Sequence, residues 1–203
     1  MDIIIVAIYS YLCGSIPFAL ILTKVFTKKD IRKIGSGNIG ATNVLRTGNK
    51  FLATITLFLD VSKGYLPVII TIKFFPNLPL MSCLVVFLGH IFPLWLKFKG
   101  GKGVATYLGI LIALSLQLSF VFIFTWLVVA LIFKYSSVSS MFSSLTVLVI
   151  NFIRETVVSI DSTLMANQIV DTKLLFIFFI LIIFTHKKNI LNLKNKTEQK
   201  IKI

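Results

Sequence analysis

Two short stretches of this chain carry the residue types that hold anions. In 30–46, Gly35, Gly37 and Gly40 free the backbone to curl, so successive N–H groups can face one concavity. Ser36, Asn38, Thr42 and Asn43 add uncharged hydrogen-bonding groups, and Arg32, Lys33 and Arg46 add positive charge. In 97–106, Gly100, Gly101 and Gly103 surround Lys102 just ahead of an apolar, helix-like run. Exposed amides, a favourable helix dipole and a flexible ammonium are what an anion site uses there. It is not a Walker A motif, because Lys102 is followed by Gly103 and not by Ser or Thr. The expected ligand carries phosphate or carboxylate. A plainer reading makes 30–46 a basic connector between helices, for which Lys28, Lys29 and Lys33 would suffice. Its density of glycine and asparagine favours the binding loop.

The elements that must position these loops are apolar. Of 203 residues, 57% are hydrophobic and 14% charged, whereas soluble domains carry about 25% charged residues. The apolar runs are 3–23, 51–71, 80–98, 104–133, 141–153 and 174–185. Several approach the ~20 residues a helix needs to cross a bilayer; barrel strands would be near ten and alternating. As one helix, 104–133 would be ~45 Å long, too much for one span, so a turn is expected around Ser115. The composition therefore predicts an all-α, polytopic membrane protein of about seven transmembrane helices, forming a single domain over 1–203. Gly14, Ser15 and Pro17 imply a kink or close helix contact in the first span, and Gly64 and Pro67 a bend in the second. Residues 134–140 read as a serine-rich loop, and 187–203 as a short basic tail.

The net charge of +14 fits the positive-inside rule and anionic lipid better than nucleic acid. With the N-terminus outside, one face collects Lys24, Lys28, Lys29, Arg32, Lys33, Arg46 and Lys50. Lys97, Lys99, Lys102 and Lys134 join them, as do Lys187, Lys188, Lys194, Lys196, Lys200 and Lys202. Seventeen of the 21 basic residues thus fall on that side, which predicts a cytoplasmic C-terminus. Both glycine loops, the serine-rich segment and His186/Asn189 land there too, and two cationic loops suit an anionic ligand, or two.

The remaining ionisable groups are few. Asp60 and Lys63 lie within a span at i and i+3, where they can neutralise one another. A structural couple and a direct catalytic role both remain open for them. His90, beside a kink, reads first as a hydrogen-bonded packing residue and second as a catalyst. Cys13 and Cys83 have no CxxC spacing and read as small core residues. No acidic cluster suits Mg²⁺ and no Cys/His set suits zinc, so no metal or cofactor is expected.

The motifs together resemble the bacterial acyl-phosphate:glycerol-3-phosphate acyltransferases, small seven-helix membrane enzymes. The carrying residues begin with Gly14-Ser-Ile-Pro17, Asp30-Ile-Arg32, and Gly35-Ser-Gly-Asn-Ile-Gly-Ala-Thr-Asn43 with Arg46. Leu59-Asp-Val-Ser-Lys-Gly64, Gly89-His-Ile-Phe-Pro93 and Lys99-Gly-Gly-Lys-Gly-Val-Ala-Thr106 follow. Tyr135-Ser-Ser-Val-Ser-Ser140 and the pair His186/Asn189-Ile190 complete the family order. The tail departs from the pattern at Thr185, Asn192 and Lys196, where Arg, Arg and Gly are usual.

The resemblance implies transfer of a fatty acyl group from acyl phosphate to the 1-hydroxyl of glycerol 3-phosphate. The products would be lysophosphatidic acid and phosphate, at the bacterial inner membrane with the site facing the cytoplasm. Partners would be the two substrates and membrane lipids. It implies that Ser36 with neighbouring amides (Gly37, Gly40, Thr42) and Arg46 hold phosphate, while Asn38 and Asn43 support the loop or touch substrate. Lys102, with Gly100, Gly101 and Gly103, would neutralise phosphate oxygens. Ser140, His186 and Asn189 would sit near glycerol phosphate, with His186 aligning or deprotonating the attacking hydroxyl. The alternative is a membrane transporter of a phosphorylated metabolite, with Asp60 and Lys63 as its coupling device; it would call for inverted repeats, and the two halves show no self-similarity.

Overall fold

The computed structural model describes residues 1–160 and 170–201, and every regular element among them is helical. The chain gathers into two compact units, Met1–Ala113 and Leu114–Ile203.

In the first unit the leading apolar run is broken where its sequence demands. Helix α1 (Asp2–Ser15) stops at extended Ile16, and α2 (Phe18–Thr27) resumes beyond Pro17, which has no N–H to continue the ladder. A three-residue 3-10 turn (Ile31–Lys33) and α3 (Ala41–Leu45) lie inside the long polar interruption. Helix α4 (Lys50–Phe74) is capped by Asn49, whose side chain accepts from the Leu52 N–H at 2.9 Å. Helix α5 (Pro79–Ile91) starts with proline at its first turn, and a 3-10 turn (Leu94–Leu96) leads on to α6 (Val104–Leu114). Glycines set the closest helix approaches. A Cβ at Gly14 would collide with the Val86 carbonyl on α5, and one at Gly89 with the Tyr11 carbonyl on α1. Gly64 on α4 and Gly109 on α6 lie likewise against Thr106 and Val61. Where lipid offers no hydrophobic drive between helices, such backbone contact supplies the packing.

The second unit holds α7 (Leu116–Phe133), α8 (Ser136–Ile160), α9 (Thr172–Thr185) and α10 (Lys187–Lys194). The break before α7 falls at the expected Ser115, whose hydroxyl caps the Leu118 N–H at 3.4 Å. Asp171 caps α9 through the Lys173 and Leu174 amides.

The expectation for the serine segment needs correction. Residues 136–140 are not loop but the opening of α8. Their hydroxyls donate to carbonyls one turn back, Ser139 to Tyr135 (2.9 Å) and Ser140 to Ser136 (2.8 Å). Serine thereby meets its polar need within the helix. The tail also continues as a helix, α10, before Asn195 ends it.

Each expected apolar run is helical, and large apolar side chains such as Phe58 (68% exposed) and Phe124 (72% exposed) face outward, as a lipid-facing surface requires. Among the described residues, five helical stretches are long and apolar enough to span a bilayer, and six if α9 and α10, bent by 56°, count as one. The remaining expected span, α6, the first half of the 104–133 run, has 11 residues.

Candidate active site

The 30–46 loop is built on Asn43. Its side-chain oxygen accepts from the Ser36 N–H (3.0 Å), and its Nδ2 donates to the carbonyls of Ile31 (3.1 Å), Ile34 (2.9 Å) and Asn38 (2.9 Å). Buried Asn43 therefore replaces a missing secondary-structure ladder, and its amide group is committed to the loop. Gly35 (φ 56°) and Gly37 (φ 72°) adopt left-handed backbone that L residues avoid, and a Cβ at Gly35 would strike Asn43 Oδ1. The Arg46 side chain runs alongside, its Cδ 3.1 Å from the position of that Cβ. Ser36, Gly37, Asn38, Gly40 and Thr42 are half-buried along the same curl.

Arg32 is otherwise engaged. It forms a forked pair with Asp30 (2.7 Å for Nη2–Oδ2), which holds the Asp30 carboxyl well below the usual carboxylate range and the guanidinium above its ordinary value. A depressed carboxylate contributes above its unfolded pKa and loses that contribution only as pH falls through the folded value. The pair commits the Arg32 guanidinium to Asp30, while the Arg46 side chain runs beside the curl.

The second loop lies against α5. The Gly100 N–H donates to the Ile91 carbonyl (2.9 Å) and the Gly101 N–H to the His90 carbonyl (3.2 Å). These amides satisfy the end of α5, so of the three glycine amides expected to be exposed, those of Gly100 and Gly101 are taken up by carbonyls. The glycines serve close packing: a Cβ at Gly100 would enter the His90 and Ile91 carbonyls, at Gly101 the His90 ring, and at Gly103 (φ 81°) the Phe87 ring. His90 itself is buried and shares a 2.9 Å hydrogen bond between Nδ1 and the Thr106 hydroxyl, the packing role expected of it. Trp95 Nε1 donates to the Ser15 hydroxyl (2.9 Å) and the Tyr11 hydroxyl to the Phe92 carbonyl (2.7 Å), fastening the approach to Lys102 onto α1. Half-buried Lys102 is followed by α6, whose first N–H groups give a positive dipole end. Both loops share one apolar base: Ile31, Ile39 and Val44 of the first pack with Leu52 and Ala53, and Leu96, at the approach to the second, packs on the same cluster.

Asp60 and Lys63 form a buried pair at 2.8 Å, and Lys63 Nζ also donates to the Ile16 carbonyl (2.6 Å). The ammonium sits 5.5 Å from the Phe18 ring centroid. The couple therefore answers the carbonyl that the Pro17 break leaves without a helical partner, a structural duty that sequence alone left open against a catalytic one.

In the second unit, Glu198 is the hub. Its Oε1 accepts from the Ser137 hydroxyl (3.0 Å) and Asn189 Nδ2 (2.6 Å), and its Oε2 from Asn192 Nδ2 (3.3 Å). Asn192, one of the departures in the tail, is thus accommodated by the same carboxylate. The Ile201 N–H closes the strap on the Lys134 carbonyl (2.7 Å). Glu198 was not assigned a role from sequence, although it is the sole acid within 187–203. Ser140, one turn beyond Ser137, is buried and accepts from Trp126 Nε1 (3.1 Å). Buried His186 stands at the α9–α10 bend with Nδ1 2.8 Å from the Ile182 carbonyl. A carbonyl only accepts, so Nδ1 carries the hydrogen of that bond, which fixes the orientation of the ring. The structure thus gathers Ser36 to Arg46 and Lys102 in one unit, and Ser140, His186 and Asn189 in the other.

Comparison with known proteins identifies the arrangement. The sequence model of the family described as glycerol-3-phosphate acyltransferase matches residues 4–196. A glycerol-3-phosphate acyltransferase of Pelagibacter ubique is 52% identical over 203 residues, covering 100% of both chains. One from Mesorhizobium japonicum is 46% identical, over 98% of this chain and 96% of that one. Among solved structures, PlsY, an integral membrane glycerol 3-phosphate acyltransferase, in its glycerol 3-phosphate form superposes with a TM-score of 0.87 at 32% identity. That match covers 100% of this chain and 96% of the other. The lysophosphatidic acid form gives 0.84 at 31% identity, over 98% and 95%. With this match over nearly its whole length, the chain belongs to the glycerol-3-phosphate acyltransferase family.

Proposed function

We propose that the whole chain acts as one domain that transfers a fatty acyl group from acyl phosphate to the 1-hydroxyl of glycerol 3-phosphate. The observation that carries this reading is the pair of cationic loops, bearing Arg46 and Lys102, founded on one apolar cluster. Two such loops suit a reaction in which donor and acceptor each bring a phosphate. A coenzyme A thioester would release a thiol, and its phosphates lie far along the molecule from the reacting carbonyl, whereas acyl phosphate carries its phosphate on that carbonyl.

In the proposed step the 1-hydroxyl oxygen attacks the carbonyl carbon of the mixed anhydride. The bond from that carbon to the phosphate oxygen breaks, and inorganic phosphate leaves with the bonding pair. Nε2 of His186 takes or orients the hydroxyl proton, its ring fixed through Nδ1. Arg46 with the Ser36 region, and Lys102, offset the charge on the two phosphates, so positioning and electrostatics supply most of the acceleration. Ser140 and Asn189 shape the acceptor side. The product, lysophosphatidic acid, enters phospholipid synthesis. We place the reaction at the cytoplasmic face of a bacterial inner membrane.

The test is phosphate release by the purified protein from palmitoyl phosphate with glycerol 3-phosphate, beside a parallel assay with palmitoyl coenzyme A. Release coupled to lysophosphatidic acid formation is expected. Product from the thioester alone would overturn the donor assignment. Glycerol 3-phosphate uptake into proteoliposomes with neither reaction would favour the transporter instead.

A further inference from the structure

A second basic site is lined by none of the residues assigned to acyl transfer. Thr27, Lys29, Thr47, Gly48, Asn49 and Lys50 line an open cleft of about 600 Å³. We propose that this cleft binds the headgroup of an anionic phospholipid, with the shared chemistry of a phosphate ester.

The polarity of its lining is one-sided. The Thr27 hydroxyl donates to the Thr23 carbonyl (2.6 Å) and the Thr47 hydroxyl to the Val44 carbonyl (2.7 Å). Asn49 Oδ1 accepts from the Leu52 N–H at 2.9 Å. Neither ammonium, of Lys29 or Lys50, pairs with an acid among the described residues, and both are exposed. The cleft therefore offers two ammonium groups and the Asn49 Nδ2 donors, with no carboxylate in its lining to repel an anion.

Its height points to lipid. The first candidate span ends at Thr27 and the next begins at Lys50, so the cleft sits where two spans leave the hydrocarbon on one side of the membrane. Next to lining residues Thr27 and Lys50 in the chain, on the span side of each, Phe26 (66% exposed) and Phe51 (72% exposed) present apolar surface suited to an acyl chain. Cations above aromatic and aliphatic groups match a phosphate headgroup with its tail, a combination that free phosphate does not use. Gly48 (φ 85°) turns the chain there, and no atom lies within 4 Å of where its Cβ would be, which keeps the wall open.

The test is native mass spectrometry of the full chain titrated with phosphatidylglycerol or with phosphatidylcholine of the same acyl chains. Phosphatidylglycerol should be retained preferentially, and Lys29→Gln with Lys50→Gln should weaken its retention about tenfold or more, given roughly fivefold for each lysine beside an anionic surface. Lys28→Gln with Lys33→Gln, equal in charge but outside the cleft, should leave retention near that of the unaltered protein. Equal retention of both lipids by the unaltered protein overturns the proposal with no variant needed. An equal loss in the control pair reduces the effect to diffuse charge and also overturns it. Displacement of the lipid by inorganic phosphate down to the level of the cleft variant would assign the site to a soluble phosphate instead. Acyl transfer by the cleft variant should be unchanged, because neither lysine belongs to the proposed catalytic machinery.

Discussion

At the scale of single residues, side chains that hold the site are separable from those proposed to act in it. Asn43 uses its whole amide to organise 30–46, and Glu198 collects three donors in the tail. Arg46 and Lys102 are instead the residues proposed to meet the phosphates. Arg46→Ala and Lys102→Ala should each lower kcat/KM for phosphate release by about 10²–10³-fold, the cost of a lost charge-stabilising contact, with little change in Tm. Near-normal turnover in both would overturn the anion-site assignment. His186 allows a finer division. Asn at 186 can still donate to the Ile182 carbonyl as Nδ1 does, but supplies nothing at the Nε2 position. His186→Asn should therefore fold and lose about 10²–10⁴-fold in kcat, the usual worth of general acid–base catalysis. His186→Gln restores a polar group near Nε2. Recovery of most of the activity by Gln would show that His186 only positions the hydroxyl; no recovery would make it the base. The residue types of the site were legible because glycine, asparagine and lysine are conspicuous in an apolar chain. Asn43's central place was not, since three carbonyls and one amide at four separate upstream positions have no local spacing signature.

At the scale of elements, the two glycine groups looked alike in sequence and differ in use. Gly35 and Gly37 are needed for left-handed backbone, whereas Gly100 and Gly101 are needed because their Cα atoms press on the end of α5. An alanine keeps its N–H, so a purely amide-based role for Gly100 would survive Gly100→Ala. The close packing predicts otherwise: Gly100→Ala should destabilise the protein by about 1–3 kcal/mol or more, as overpacking does, and abolish ordered placement of Lys102. Gly40→Ala makes the contrast, since Gly40 has extended backbone and its Cβ would meet only the Asn38 side chain at 3.2 Å. Comparable melting curves for the two variants would refute this reading of the second loop. The Asp60–Lys63 couple offers a second element-scale test, because it fastens the α1–α2 break. Lys63→Met leaves a buried carboxylate without its cation and should cost about 3–5 kcal/mol. Adding Asp60→Leu removes the stranded charge, so the double variant should be the more stable of the two in thermal unfolding. If it is less stable, the carboxylate has a partner beyond Lys63. The helices themselves were readable from apolar runs, including the break at Ser115. The start of α8 was not, because serine favours loops by propensity and here satisfies itself on carbonyls within the helix.

At the scale of the whole molecule, charge and helix length make opposed demands. Helix α6, with 11 residues, rises ~16 Å, about half the ~30 Å of hydrocarbon a span must cover. If α6 does not cross, six crossings remain and both termini share a side. The six lysines of 187–203 would then lie opposite Lys24–Lys50, against the positive-inside bias. If it does cross, non-helical residues on its flanks must complete the passage. That is tolerated where the backbone is lined by protein, and Gly100 and Gly101 do bond to α5 carbonyls. The charge distribution therefore predicts that α6 crosses, that 97–103 dips into the membrane, and that the chain passes seven times with its N-terminus outside. Cysteines placed singly at Lys134 and Gln199, with Cys13 and Cys83 replaced by alanine, should resist a membrane-impermeant maleimide in intact cells and react after permeabilisation. A cysteine at Asp2 should react without permeabilisation. Labelling of Gln199→Cys in intact cells would leave α6 as a helix that enters and does not cross, with Lys102 carried on a re-entrant segment.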